Sequence, residues 1–337
     1  MHNITIKKTS RHYTALAGLL TSGNLADSLG LTTLLRQRLS IKRGWYSRIY
    51  PEELLFFFIL GVLAGTGNMK ALDDLRQDPV LFRLFNWQKL PKMRTISTIF
   101  SRFTTLSGQE LEAVQQVARK RLWARKGPSG PINLEMSLTE TKGAGVQRLL
   151  CFVAETRECL GGRLIPAARD ADGEGQRLAF IKTCLARLPK SRQPTAIRVN
   201  SAFFSDDLGA IVEKDGCGSL ILARRADPWF TWCENKMTMP WRINALPVRS
   251  ALFQGSLLAY NLFVWQIWLT KESDFCKDPE IFWNQLLHVP AQLSTSGRQH
   301  TLHIPADHPF HERWAALTKA LGDADDDHLP LEMTTEN

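Results

Sequence analysis

The sequence predicts an α+β fold in which an all-helical N-terminal region is followed by a mixed β-sheet flanked by helices. Two observations predict this class. Apolar residues recur at helical spacing over the first 128 residues, and after a basic linker the pattern changes to short strand-like runs separated by turn residues. With 337 residues, 44% of them hydrophobic, the chain is long enough for two or three domains with cores.

The helical region is predicted from its leucine spacing and from one clear helix start. Pro51 fits the first turn of a helix. The two glutamates after it interact favourably with the positive end of the helix dipole. That strongly apolar helix ends before Gly65. The helical segments predicted in this region cover residues 13–39, Pro51–Ala64, Met69–Gln77, Pro79–Phe85, Ile96–Thr104 and Gly108–Ala124.

The region after residue 128 is predicted to run strand, strand, strand, helix, strand, helix, strand. These elements are Ile132–Leu138, Gln147–Ala154, Glu158–Pro166, Gly173–Leu188, Ile197–Val199, Asp206–Glu213 and Ser219–Ala223. Later elements are a long helix around Ala245–Thr270, a short helix around Pro279–Leu287, strands at Ala291–Ser296 and Gln299–Ile304, and a helix at His311–Leu321.

We divide the chain into three parts on this basis. They are a basic helical region (1–128), a sheet core (129–304) and a C-terminal helix with an acidic tail (305–337). The tail from residue 322 holds six acids and no Lys or Arg, so it is predicted to be disordered.

Basic residues concentrate in the helical region, which predicts contact with a polyanion such as DNA. Residues 1–130 hold 20 Lys and Arg against 8 Asp and Glu, whereas the rest of the chain holds 22 against 25. Cationic side chains gain free energy from counterion release on DNA, although a solubilising surface has the same composition. The candidate DNA contacts are Lys92, Arg94, Arg102, Arg119, Lys120, Arg121, Arg125 and Lys126.

The chain is expected to be cytoplasmic and associated with the nucleoid. Its six cysteines form no C-x-x-C pair, which favours reduced thiols. The first residues lack the apolar stretch of a signal peptide. The apolar run Ala251–Thr270 is interrupted by Gln254, Asn261 and Gln266, which favours a buried helix over a membrane span. No membrane partner is expected, and a homodimer is left open.

The most informative motif is Arg198-Val199-Asn200-Ser201-Ala202-Phe203, at the end of the fourth predicted strand. A side chain at such a strand end faces the cleft at the sheet edge. The motif resembles the second catalytic block of DDE-type insertion-sequence transposases, in which Arg and a small residue are followed by Asp, Ser, a small residue and Phe. Asn200 stands where that family has its Asp.

Four other segments resemble the same family and occur in the family's order. They are Ala71–Leu81, Lys89–Phe103, Leu150–Thr156 and Leu257–Phe263, and the resemblance spans roughly residues 15–320. It implies an RNase H-like core, which the predicted order of strands and helices also matches, with the family's β-rich insertion domain lost. It also implies cleavage and rejoining of DNA by two divalent cations, Mg²⁺ or Mn²⁺, held by carboxylates.

The resemblance places the counterparts of the three catalytic carboxylates at Glu135, Asn200 and Glu234, so that Glu135 and Glu234 are the metal ligands if any ion binds. Asn133, two residues before Glu135, also stands where the family tends to have Asp. A neutral amide binds Mg²⁺ poorly, and Glu135 is one methylene longer than Asp. We therefore predict DNA binding with impaired or no strand transfer, and expect Asn200→Asp together with Glu135→Asp to improve divalent-ion binding.

Two other functions stay open. One is an active metal-dependent transposase or nuclease that uses Glu135, Glu234 and a third acid such as Asp206 or Asp207. The other is a non-catalytic interaction protein that uses the transposase scaffold without DNA. Salt-sensitive DNA binding would exclude the latter, and metal-dependent cleavage would exclude a degenerate site.

Two further clusters have an ordinary structural interpretation beside a functional one. Tryptophans and basic residues alternate between Arg224 and Arg242, a composition that fits either stacking on bases or core packing. His300, His303, His308 and His311 lie within twelve residues, but intervening prolines favour surface positions over a zinc site.

Overall fold

A computed structural model describes residues 12–41, 50–87, 90, 92–141, 145–166, 173–192, 194–214, 219–223, 227–237, 245–270, 275, 278–296, 299–308 and 311–321. Within these ranges helices and two β-sheets occur, so the predicted α+β class is confirmed. The predicted disordered tail and the basic and aromatic residues Arg224, Arg225, Trp241 and Arg242 lie outside the described residues.

The α-helices are α1 (Leu19–Ser28), α2 (Leu31–Arg38), α3 (Pro51–Leu63), α4 (Met69–Leu75), α5 (Pro79–Leu84), α6 (Met93–Phe100), α7 (Thr105–Arg125), α8 (Gly173–Leu185), α9 (Asp206–Lys214), α10 (Pro228–Trp232), α11 (Leu246–Thr270), α12 (Pro279–Leu287) and α13 (His311–Leu321). A π-helical turn, Cys233–Met237, follows α10. The strands are β1 (His12–Thr14), β2 (Leu134–Thr141), β3 (Val146–Val153), β4 (Cys159–Pro166), β5 (Ala196–Val199), β6 (Ser219–Leu222), β7 (Ala291–Ser296) and β8 (Gln299–His303).

The larger sheet has five strands in the order β4-β3-β2-β5-β6. The pairs β2–β3 and β3–β4 are antiparallel, whereas β5 lies parallel to both β2 and β6. Each of these strands begins within two residues of its predicted start. The register sets Glu135 of β2 opposite Arg198 of β5, which in turn lies opposite Ile221 of β6.

The two faces of this sheet pack against different helices. Leu134 and Met136 point to a face that is covered by α8 and α9 through one apolar cluster. Phe152 belongs to the other face and joins a larger cluster, formed with α11 and the helical region. Because side chains alternate along a strand, Glu135 and Ser137 lie on the second face.

Helix α11 lies at the centre of the larger cluster and is buried along most of its length. The amides that interrupt its apolar sequence are paired inside the protein. Gln254 Nε2 donates to the Gly162 carbonyl oxygen at 2.8 Å, and Asn261 bonds both the N–H and the carbonyl of Cys159 at 2.7 and 2.9 Å. The expectation of a buried helix is therefore confirmed, and its polar residues attach it to β4.

A buried carboxylate, Glu158, lies where α7, α11 and the start of β4 meet. It accepts hydrogen bonds from the indole N–H groups of Trp123 at 2.7 Å and Trp265 at 2.8 Å, and from the Thr156 hydroxyl at 3.0 Å. Burial raises the pKa of Glu158, and the positive charge of Arg119 is the largest opposing effect. Because a buried carboxylate needs these donors, the contact fixes how the helical region packs on the sheet.

The helical region differs from its all-helical prediction at β1. This strand pairs antiparallel with β7 in a small sheet of order β1-β7-β8. Three residues are too few to establish an alternating pattern, so the strand has no recognisable signal and the all-helical prediction is wrong there. The helices of this region also share the larger apolar cluster with α10, α11 and α12.

Candidate functional site

Two neighbouring parallel strands bring Glu135 and Asn200 together. Glu135 pairs with Arg198, and Asn200 directly follows β5. With strands about 4.8 Å apart and a rise of about 3.3 Å per residue, the Cα atoms of Glu135 and Asn200 lie about 8 Å apart. The Asn200 N–H continues the pairing by donating to the Met136 carbonyl oxygen at 3.3 Å. The register of β2 and β5 therefore brings the two residues close together.

The side-chain amide of Asn200 is engaged by backbone groups of its own chain. Its Oδ1 accepts the N–H groups of Leu138 at 3.2 Å and Phe203 at 3.1 Å, and its Nδ2 donates to the Leu138 carbonyl oxygen at 3.0 Å. The side chain thus bonds to β2 as a further strand residue would. A carboxylate has no N–H to donate here, so an amide suits the position for a reason that is independent of metal ions.

Asn133, the other residue that stands where the family tends to have Asp, is engaged in a similar way. Its backbone N–H and its Nδ2 donate to Glu155 Oε1 at 3.0 and 2.9 Å. Its Oδ1 accepts a hydrogen bond from the Thr195 hydroxyl at 3.0 Å. The hydrogen bonds of Asn133 therefore connect Glu155, in the turn after β3, to Thr195, the residue before β5.

Glu135 lies between opposite and like charges. Arg198 Nη1 lies 3.5 Å from Glu135 Oε1, with the Glu135 side chain 15% exposed and the Arg198 side chain 51% exposed. Burial is the largest effect that raises the pKa of Glu135, followed by the negative charge of Asp227. The positive charges of Arg198 and Arg157 oppose this shift. A half-exposed protein cation therefore lies beside this carboxylate, and its attraction does not outweigh the effect of burial.

Glu234 reaches the same face of β2 from the π-helical turn. The Ser137 hydroxyl donates to Glu234 Oε1, and Arg148 Nη1 donates to the Glu234 carbonyl oxygen at 2.8 Å. Ser137 lies about 6.6 Å along the strand from Glu135, on the same face. Burial raises the pKa of Glu234, while the Ser137 hydrogen bond and the Arg148 charge oppose the shift. Glu135, Ser137, Asn200 and Glu234 are together called the strand-end site.

The strand-end site does not supply the ligands that two Mg²⁺ ions require. Its carboxylates are those of Glu135 and Glu234, and its amide is bonded to the backbone, whereas Mg²⁺ prefers several hard anionic oxygens. Asp206 and Asp207, considered as a third ligand, are exposed in the first turn of α9. Across the described ranges, no three or more His, Cys, Asp or Glu residues are grouped so that they could hold a metal ion.

Arg119, one of the predicted DNA contacts, is a core residue. It is 2% exposed, and its guanidinium donates to the carbonyl oxygens of Leu160 at 3.5 Å and Arg187 at 3.3 Å. Arg119 follows Gln115 by four residues and precedes Leu122 by three, and both of these are buried on α7. This helical spacing is a signal that could have shown its burial. It is not available to a phosphate, and we remove it from the predicted contacts.

The other predicted contacts at the end of α7 also have partners within the chain. Arg121 donates to the Leu29 carbonyl oxygen at 2.5 Å, and Arg125 donates to the Ser28 carbonyl oxygen at 2.7 Å. Lys126 Nζ donates to a carbonyl oxygen of α11 at 2.6 Å. These cations dock α7 onto α1 and α11, so their removal would change stability as well as charge.

Four of the predicted DNA contacts are exposed, and their charged groups have no partner among the described residues. They are Lys92, Arg94, Arg102 and Lys120. In the described part of the chain, no hydrogen bond or ion pair involves their charged groups. They are the predicted contacts whose charged groups remain available to a polyanion.

Sequence reasoning missed two charged residues beside Glu135. Asp227 Oδ1 accepts the Trp229 N–H at 2.8 Å at the start of α10, and Asp227 Oδ2 pairs with Arg157 at 3.2 Å. An Asp followed by Pro is a recognisable helix start, so the capping role could have been found. The closeness of Asp227 to Glu135 depends on tertiary packing.

Trp229 and Trp232 are buried, so core packing is the correct interpretation for these tryptophans.

Comparison with known proteins does not assign this chain to a family. No family model, no curated protein and no solved structure matches the chain. Among the described helices, none has the length and apolar character needed to cross a membrane.

Proposed function

We propose that this chain is a DNA-binding protein built on the RNase H-like core of DDE-type insertion-sequence transposases, with little or no strand-transfer activity. The sheet order β4-β3-β2-β5-β6, with Glu135 on β2 and Asn200 directly after the neighbouring parallel strand β5, carries the proposal. Three antiparallel strands followed by two parallel ones is the order that the resemblance implies. Glu234 approaches from a later helical segment, as the third carboxylate of that family does.

The weak chemistry follows from the partners of the three counterpart residues. In two-metal catalysis one ion activates the attacking oxygen and the other stabilises the leaving oxygen, so both ions need anionic ligands. Here Asn200 is neutral and bonded to Leu138, and Glu135 is paired with Arg198. A divalent cation would have to displace Arg198 and do without a central carboxylate.

The DNA-binding half of the proposal rests on the excess of uncommitted cations in the helical region. Lys92, Arg94, Arg102 and Lys120 are exposed without competing carboxylate partners in the described part of the chain. Each phosphate contact that such a residue makes releases counterions. Nucleoid association and a homodimer remain predictions that follow from the same interpretation.

DNA binding is tested by fluorescence anisotropy with a labelled duplex at several salt concentrations. Replacing Lys92, Arg94, Arg102 and Lys120 together by Ala should weaken binding and reduce the slope of log affinity against log salt by up to about 3 to 4. The control variant replaces the exposed Arg163, Lys190, Lys214 and Lys319 by Ala, which removes the same charge elsewhere. Equal losses in both variants, or no duplex binding at low salt, would contradict the proposal.

Catalytic activity is tested by plasmid nicking with Mg²⁺ or Mn²⁺. Wild type, Glu135→Ala and Asn200→Asp should all show little nicking, because no variant assembles three free carboxylates. This revises the expectation from sequence that Asn200→Asp together with Glu135→Asp improves ion binding, since the Asn200 amide is bonded to β2. Robust wild-type nicking that Glu135→Ala abolishes would instead establish a working nuclease.

A further inference from the structure

A polar groove of about 550 Å³ lies outside the strand-end site, between the α4–α5 segment and β8. The groove is shallow and open to solvent, so it suits a ligand that lies along the surface and not one that is enclosed. We call it the α5 groove, and the lining residues used below are Arg76, Phe82, Arg83, Asn86, Trp87 and His300.

The aromatic wall of the α5 groove is built by the way α5 ends. Asn86 has a φ of 49°, in the left-handed region that Asn tolerates better than most residues. The Asn86 N–H donates to the Arg83 carbonyl oxygen at 3.2 Å, and the Trp87 N–H donates to the Phe82 carbonyl oxygen at 2.9 Å. These two bonds form a Schellman motif, and the contact between the Phe82 and Trp87 rings completes it.

Trp87 is held rigidly at this helix end. Its ring stacks on Phe85 at 5.0 Å and meets the edges of Phe57 at 5.4 Å and Phe82 at 6.0 Å. A ring fixed from several sides loses little side-chain entropy when a flat ligand packs on it. The groove therefore has a preorganised aromatic surface.

The cations of the α5 groove have unused donors. Arg83 is exposed, and within the described residues no hydrogen bond or ion pair involves its guanidinium. Arg76 uses its Nε for Asp73 at 2.6 Å, and the described part of the chain gives its terminal nitrogens no acceptor. His300 uses Nδ1 with the Thr295 hydroxyl at 2.9 Å. The described lining contains no Asp or Glu, but the Asp73 carboxylate offsets the charge of Arg76, so Arg83 is the cation that favours an anion here.

We propose that the α5 groove binds an unpaired nucleotide of a DNA strand, with its phosphate against Arg76 and Arg83 and its base against Trp87. This inference rests on the proposed function, because DNA is the polymer that supplies the nucleotide. Arginine forks match phosphate oxygens, and aromatic rings stack on any base. A phosphate alone would use the cations without the aromatic wall, so the combination indicates a nucleotide.

The test measures affinity for a blunt duplex, the same duplex with a short single-stranded thymidine extension, and the single strand alone. Wild type should bind the extended duplex about tenfold more tightly than the blunt one, because one or two bases stack. Arg83→Glu should remove this preference and leave blunt-duplex affinity within about twofold, since the exposed Arg83 is not one of the four cations proposed to contact the duplex. Arg163→Glu, the same charge change at an exposed site on β4, should retain the preference.

The outcomes separate the groove from the proposed function. No preference for the extension in wild type, or an equal loss for every DNA with Arg83→Glu, would overturn the groove proposal. Absent duplex binding would refute the proposed function, whereas Arg83-dependent binding of the single strand would still support the groove. Competition by inorganic phosphate as strong as that by thymidine monophosphate would show an anion site only and would also overturn the proposal.

Discussion

The strand-end site and the α5 groove are both polar, but they differ in what their polar groups already contact. At the strand-end site, Asn200 is bonded to Leu138, and Glu135 is paired with Arg198. In the α5 groove, the Arg83 guanidinium has no partner among the described residues. Satisfied groups stabilise a fold, whereas exposed and unsatisfied donors are available to a ligand. We therefore expect substitutions at the strand ends to change stability and substitutions in the groove to change the proposed binding.

The largest expected effect that tests this comparison is the stability loss from Asn200→Asp. The change removes the donor to the Leu138 carbonyl oxygen and places a carboxylate beside it, so the free energy of unfolding should fall by about 1 to 3 kcal/mol at neutral pH. Urea denaturation measures this loss. Acidification should reduce it, because a protonated carboxyl regains an O–H donor.

The matched control for this prediction is the same chemical change in the α5 groove. Asn86→Asp keeps a residue that tolerates the left-handed backbone, and Asn86 is exposed. Its effect on stability should stay within about 0.5 kcal/mol. An equal loss in both variants would show that the two amides contribute equally to stability.

The strands of the sheet could be predicted from the sequence, but the contacts at the strand-end site could not. Short strand-like runs separated by turn residues located β2 to β6, and Asn200 was correctly placed after β5. The bonds between Asn200 and Leu138 depend on the register of two strands that are distant in sequence. The α5 groove was not predicted at all, because His300 joins a helix end more than two hundred residues away.

Asn133→Ala should have the second largest effect on stability. The change removes a side-chain donor to Glu155 and the acceptor for the Thr195 hydroxyl, but these groups are partly exposed and water replaces the lost bonds. We therefore expect a loss of about 1 kcal/mol in urea denaturation. Asn133→Asp should be worse at neutral pH, because it sets a second carboxylate beside Glu155. If both variants unfold like wild type, the amide has no structural role.

The smallest effect concerns the pH dependence of stability through Glu234. Burial raises the pKa of Glu234 above its ordinary value of 4.5, so the folded state holds this proton more tightly than the unfolded state. The stability that this group contributes is therefore fully present below pH 4.5 and is lost as pH rises through the folded pKa. Glu234→Gln should remove this loss, and denaturation across this pH range measures it.

The comparison variant is Glu213→Gln, at an exposed glutamate of α9. The amide oxygen of Gln in Glu234→Gln can still accept a hydrogen bond from the Ser137 hydroxyl, so the variant isolates the charge from the hydrogen bond.

A divalent cation bound at neutral pH would instead stabilise the ionised Glu234 and make Glu234→Gln destabilising when Mg²⁺ is added. Repeating the titration with Mg²⁺ therefore separates the two interpretations of the strand-end site. A Mg²⁺-dependent stabilisation that Glu234→Gln abolishes would show a metal site in use, and its absence agrees with carboxylates held by protein partners alone.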